Sequence, residues 1–130
     1  MSIATYAETL PAECPPEDAS TDALEKVYRL GKNKNPTEAD FHSHAQLGTP
    51  KPPHYKATDC QWASCSMFVT EEAALAIKGL ARRNPWVIEL SIPADAGKHK
   101  FRGEHVDFWR FADFDVVSAV AARWKHDNDA

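Results

Sequence analysis

The sequence predicts a single small α+β domain, and three observations carry that reading. Strand-like runs are interrupted by one or two helical stretches, without the regular alternation that a parallel βαβ sheet needs. The run "PWVIELSIP", residues 85–93, puts Ile88, Leu90 and Ile92 on one face and Val87, Glu89 and Ser91 on the other, the period-two signature of a strand. The chain has 130 residues, 43% of them hydrophobic. That is near the commonest domain size, and such a chain buries roughly two-thirds of its unfolded surface.

Residues 1–20 hold Pro11, Pro15 and Pro16 among scattered acids and read as an irregular acidic arm; residues 21–130 form the domain. In "DALEKVYRL", residues 22–30, Leu24, Val27 and Tyr28 have helical spacing and Asp22 with Glu25 imitates a capping box, yet "KVYRL" alternates like a strand. A short helix running into a strand uses both signals. From Gly31 to Thr58, "GKNKNP" and "GTPKPPHYK" are turn chemistry, since proline removes a donor and glycine admits positive φ. This long connection has room for a short helix around Thr37 to His44.

Ser66 to Val69 is a short strand candidate. Thr70 can cap the helix that follows, Glu71 and Glu72 suit its positive end, and Ala73, Ala76, Ile77 and Leu80 share an apolar face. Arg82 and Arg83 suit its last turn and Asn84-Pro85 stops it. Gly79 then lies inside the helix at a cost of about 1 kcal/mol against alanine. After the strand at 85–93, "ADAGKHKFRGE" reads as a loop, "HVDFWRF" as a strand, and "DFDVVSAVAARW" as a strand by its β-branched density.

The formal net charge of −4 argues against general nucleic-acid binding, which depends on neutralising phosphates. No apolar run approaches membrane-spanning length, so no membrane partner is expected. No basic leader precedes an apolar stretch. The odd count of three cysteines, Cys14, Cys60 and Cys65, then suggests free thiols in a reducing cytoplasm. His42, His44, His54, Cys60 and Cys65 are possible zinc ligands, but their spacings do not form the tight pairs of structural zinc sites. Cys65 as a nucleophile would need a stabilised thiolate; it lies about six residues before the helix, beyond strong influence of the dipole. A buried core thiol explains it better.

Ser64 and Ser66 alternate with Cys65, so both face one side of a strand that Phe68 continues. Read together, "VYRLG", "FHSHAQLG", "SCSMFVTEEAALAI", "WVIELSIP" and "RGEHVDFWRF" resemble, in their order, the small split β-sandwich of the ADP-ribosyltransferase family, including its compact bacterial toxin and RES-type branches. The resemblance covers about residues 26–120. It implies that NAD is the substrate, that Arg29 or His44 meets its phosphates or ribose, and that Ser66, with Ser64 and Phe68 beside it, supports the nicotinamide pocket. Glu104 would be the catalytic carboxylate, and Tyr28, Phe68 or Trp109 a stacking ring. The chain departs from the family pattern at "SCS", where Ser-Thr-Ser is usual, and at Arg102, where an acid or glutamine often stands two residues before the glutamate. The implied activity is ADP-ribosyl transfer or NAD hydrolysis. The alternative class is a non-enzymatic interaction module, an inhibitor or immunity protein working through shape and its acidic arm on a protein target or cognate partner.

Overall fold

The computed structural model describes residues 5–126; the ends of the expected arm and domain, 1–4 and 127–130, lie outside it. Six strands form one antiparallel sheet: β1 Leu24–Gly31, β2 Cys65–Phe68, β3 Trp86–Ile92, β4 Gly97–Arg102, β5 His105–Arg110 and β6 Val120–Lys125, in the spatial order β4-β5-β2-β1-β3-β6. Three short helices complete it: α1 Asp59–Trp62, α2 Glu71–Leu75 and α3 Leu80–Arg83, with single 3-10 turns at Glu38–Phe41 and Val116–Ala119. Few helices beside an antiparallel sheet is an α+β domain, as expected.

Each face of the sheet has its own core, because successive strand residues point to opposite sides. One face buries Val27, Met67, Ile88, Leu90, Val106 and Phe108 beneath Phe41, Val116 and Ala119 of the two 3-10 turns. The other face, along β1 and β3, buries Leu30, Phe68 and Val87 under Ala73 and Ala74 of α2. α2 reaches β2 at Phe68, and beyond it the β5-β4 half of that face carries His105, Asp107, Lys100 and Arg102. The sheet is thinnest at its middle: β1 and β2 share the single register pair Tyr28↔Phe68, whereas β1 and β3 stay paired from Val27↔Leu90 to Gly31↔Trp86.

Several expectations change. Residues 22–30 give a strand without a preceding helix, because Leu24 and Val27 are both needed in the core. The helix from Thr70 is broken in two: Thr70 caps α2 by accepting from the Ala73 N–H, but Gly79 takes φ +78°, a left-handed conformation, and α3 starts anew. The loop expected at 94–104 is largely β4, a hairpin partner of β5. Positions 113–124 divide between a 3-10 turn and β6. The expectation of free thiols fails for two of the three cysteines: Cys14 and Cys60 form a disulfide, and Cys65 alone is free and buried.

Candidate functional site

The polar half-face is built by strand register. In an antiparallel pair, residues directly opposite share a face. The pairs Ser66↔Asp107 and Phe68↔His105, with Lys100↔Asp107 and Arg102↔His105 on the far side of β5, therefore collect Ser66, His105, Asp107, Lys100 and Arg102 on one surface. Ser64, one residue before β2, joins them. Beside Arg102 an open groove is lined by His54, Tyr55, Lys56, Ala57 and Gln61. The groove wall is fixed by α1, where the Thr58 side chain accepts from Gln61 N–H and the Gln61 side chain accepts in return from Thr58 N–H.

Asp107 sits at the centre of this cluster, its side chain 2% exposed. Arg102 grips it with two donors, Nε to Oδ2 at 2.7 Å and Nη2 to Oδ1 at 3.1 Å. Burial works against the charged carboxylate, but hydrogen bonds from His105 and Arg102 together outweigh it, so Asp107 is held below the usual carboxylate range. In return the Asp107 hydrogen bond raises the Arg102 guanidinium above its ordinary value. The two oxygens are not equal. Oδ2 has one short, charge-assisted bond, whereas Oδ1 collects longer contacts from Arg102, from Ser64 Oγ at 3.3 Å and from His105 Nδ1 at 3.3 Å. The Ser64 hydroxyl has one proton and a nearer acceptor, the Gln61 carbonyl at 2.7 Å.

His105 Nδ1 stands between Arg102 Nη2 at 2.9 Å and Asp107 Oδ1. Unprotonated, that nitrogen accepts from the guanidinium; protonated, it donates to the carboxylate. It cannot do both at once.

The residues singled out by sequence are distributed as follows. Arg29 lies on the opposite face, half-buried, and donates to two main-chain carbonyls, Nε to Asp40 at 3.1 Å and Nη1 to Ser66 at 2.5 Å; it ties β1 to β2 where the ladder between them parts. Ser64 and Ser66 are on the polar half-face. Phe68 is buried against α2 and offers no exposed ring face there. Glu104 is exposed in the turn between β4 and β5, and its recorded contact is its main-chain carbonyl, which accepts from Val69 N–H. Glu104, Arg29 and the Ser66 hydroxyl therefore do not gather in one cleft, because Arg29 and Ser66 project from opposite sides of the sheet. His44 stacks on Trp62 with ring centroids 4.4 Å apart, and Tyr55 meets the same indole edge-on. Burial lowers the His44 pKa, and the Arg29 charge lowers it further.

Trp109 is buried and donates Nε1–H to the Cys60 carbonyl, and Tyr28 donates its hydroxyl to Glu89, so neither is a free stacking ring. Cys60 is consumed by its disulfide, and no group of three potential metal ligands converges among the described residues. Cys65 is a core thiol whose pKa is raised by burial.

Sequence reading missed Asp107, His105 and the positive role of Arg102. The available signal was an aspartate inside the apolar string "HVDFW": a charge in a strand buried on both faces requires a partner, and Arg102 across the hairpin is the nearest cation. No family model, no curated protein and no solved structure matches this chain.

Proposed function

We propose that this chain is an ADP-ribosyltransferase-like protein, with the split β-sandwich architecture of that family, which binds NAD in the groove beside Arg102. It breaks the bond between nicotinamide and ribose and passes ADP-ribose to water or to an acceptor. The observation that supports the reading is the sheet order β5-β2-β1. It sets the serine strand between the arginine strand and a strand that carries a buried acid, although the three are far apart in sequence. Within that frame Asp107, not Glu104, is the carboxylate opposite Ser66.

As the glycosidic C–N bond breaks, its electron pair leaves with neutral nicotinamide and positive charge develops on the ribose. A fixed carboxylate close to that centre stabilises the charge more in the transition state than in the ground state. In this reading Asp107 Oδ1 has that role, and Ser64 and Ser66 keep the strand surface low enough for a flat ring. Arg102, 41% exposed at its side chain, turns outward to phosphate, for which its planar fork is suited, and so uncovers Asp107. Tyr55 supplies an exposed ring at the groove.

NAD titration followed by nicotinamide release tests this. Wild type is expected to bind and release; Asp107→Asn should lower release by about 10²–10³-fold, while Glu104→Gln stays near wild type. A wild-type protein that neither binds NAD nor frees nicotinamide sinks the reading. Equal rates for wild type and Asp107→Asn remove Asp107 from it.

A second reading, the interaction module, is favoured by the exposed apolar side chains Leu47, Tyr55, Ile77 and Phe101. It calls for a stoichiometric protein partner captured without nucleotide. The Cys14–Cys60 disulfide fits an oxidising compartment, so we place the working site of the protein outside the reducing cytoplasm. Among the described residues no helix is long and apolar enough to cross a membrane.

A further inference from the structure

On the face of the sheet opposite the Asp107 groove, the chain's own acidic arm fills a recess. Tyr6 forms a β-bridge with Phe111, Ala7 N–H donates to the Arg110 carbonyl at 2.9 Å, and Ala112 N–H donates to the Thr5 carbonyl at 2.7 Å. This pairing sends Glu8 inward. Its carboxylate accepts from Ser43 N–H at 3.1 Å and from the Ser43 hydroxyl, and Ser43 is 2% exposed. Tyr6, Glu8 and Leu10 form one wall of the recess, and Cys65, Phe108 and Arg110 form the other. Six residues after Glu8, Cys14 is bonded to Cys60 in α1.

A buried main-chain N–H and hydroxyl turned on one oxyanion, with Arg110 in the wall of the adjoining recess, is anion-binding geometry. Here its occupant is covalently tethered, and neither core cluster includes a residue before Leu24. We propose that the Ser43 recess is a binding site for a phosphate-type oxyanion, that the Glu8 carboxylate is its built-in competitor, and that the Cys14–Cys60 disulfide controls the competition. Anchoring Cys14 leaves Glu8 on a short tether and keeps it at an effective concentration on the order of millimolar at the recess. A dithiol reductant opens the bond: two electrons and two protons pass to the cysteines, giving two thiols, and the dithiol becomes its own cyclic disulfide. The strap is then held by main-chain bonds alone.

Inorganic pyrophosphate is the probe, titrated by calorimetry into the full-length protein. Glu8→Ala is expected to bind it at least threefold more tightly than oxidised wild type, and dithiol treatment of wild type should shift affinity in the same direction. Adding Ser43→Ala to Glu8→Ala should return affinity to the wild-type value; because Ser43 is remote from Arg102, this separates the recess from the Asp107 groove and from the fate of the NAD reading. Limited proteolysis supplies a second measurement, with cleavage within residues 5–14 appearing only after reduction. A gain below threefold for Glu8→Ala, a gain that survives Ser43→Ala, or a strap equally protected in both redox states overturns the proposal.

Discussion

Asp107 is a charge in a strand whose neighbours Val106, Phe108 and Trp109 are buried apolar side chains. It is tolerated there because both of its oxygens accept hydrogen bonds from Arg102, and among the described residues no buried side-chain polar atom lacks a partner. Such satisfaction depends on pH. The folded pKa of Asp107 is depressed below its ordinary 3.8. Its contribution is therefore fully present above that value and is lost as pH falls through the folded pKa. His99, 4% exposed beneath the Ser20 bridge, is depressed by burial below its ordinary 6.5. An unfolded His99 takes up a proton near pH 6.5 while the folded one does not, so acidification below 6.5 favours unfolding. Urea denaturation between pH 8 and pH 3 should thus show stability falling in two windows, one below 6.5 and one below 3.8. His44, also depressed by burial, acts in the first window, so His99→Gln should shrink it and His99→Gln with His44→Gln should flatten it, while Asp107→Asn should flatten the second; unchanged profiles would contradict these assignments.

Among the elements, glycines reveal where sequence patterns misread the chain. A continuous helix over 71–83 would make Gly79→Ala stabilising by about 1 kcal/mol. With φ at +78° and the new Cβ 3.0 Å from Arg83 Nη1, the structure reverses that sign, and Gly79→Ala should cost about 1–2 kcal/mol. Gly97 opens β4 at a point where a Cβ would stand 2.4 Å from the Trp109 carbonyl oxygen and 2.9 Å from Arg110 Cα. Both are backbone, so the hairpin itself must shift, and Gly97→Ala should lose about 1–3 kcal/mol or more. Denaturant midpoints with unchanged m-values would measure both. β4 was hidden in the sequence because "GKHKFR" has few apolar letters: on one of its faces Lys100 meets Asp18 and Arg102 meets Asp107. β3 was legible because both of its faces are half or wholly buried and its alternation is clean.

For the molecule as a whole, the disulfide joins an arm to a sheet that is otherwise complete. Its sequence separation of 46 predicts a loss of up to about 4 kcal/mol on removal if the unfolded chain alone is affected. Because the two core clusters draw no side chain from the arm, Cys14→Ser should lower the melting temperature yet keep a cooperative transition and the near-ultraviolet signal of the packed tryptophans. A molten spectrum would show that the arm is part of the core. The strap also protects an edge: Ser20 bridges His99 on β4 with a 2.9 Å hydrogen bond in each direction, which covers part of a strand otherwise open to pairing with another chain.

The amino-acid sequence alone determined the α+β class, the two strands expected at 66–69 and 85–93 to within a residue at each end, the Thr70 cap and the burial of Cys65. Each follows from local periodicity or from a side chain acting on its nearest neighbours. Only the tertiary structure decided that Asp107 rather than Glu104 faces the serines, that Arg29 bonds main chain across the parted sheet, that Cys14 meets Cys60, and that Glu8 reaches Ser43. Those partners lie 35 to 46 residues apart, and strand order and register, set by burying two opposite faces at once, are what bring them together.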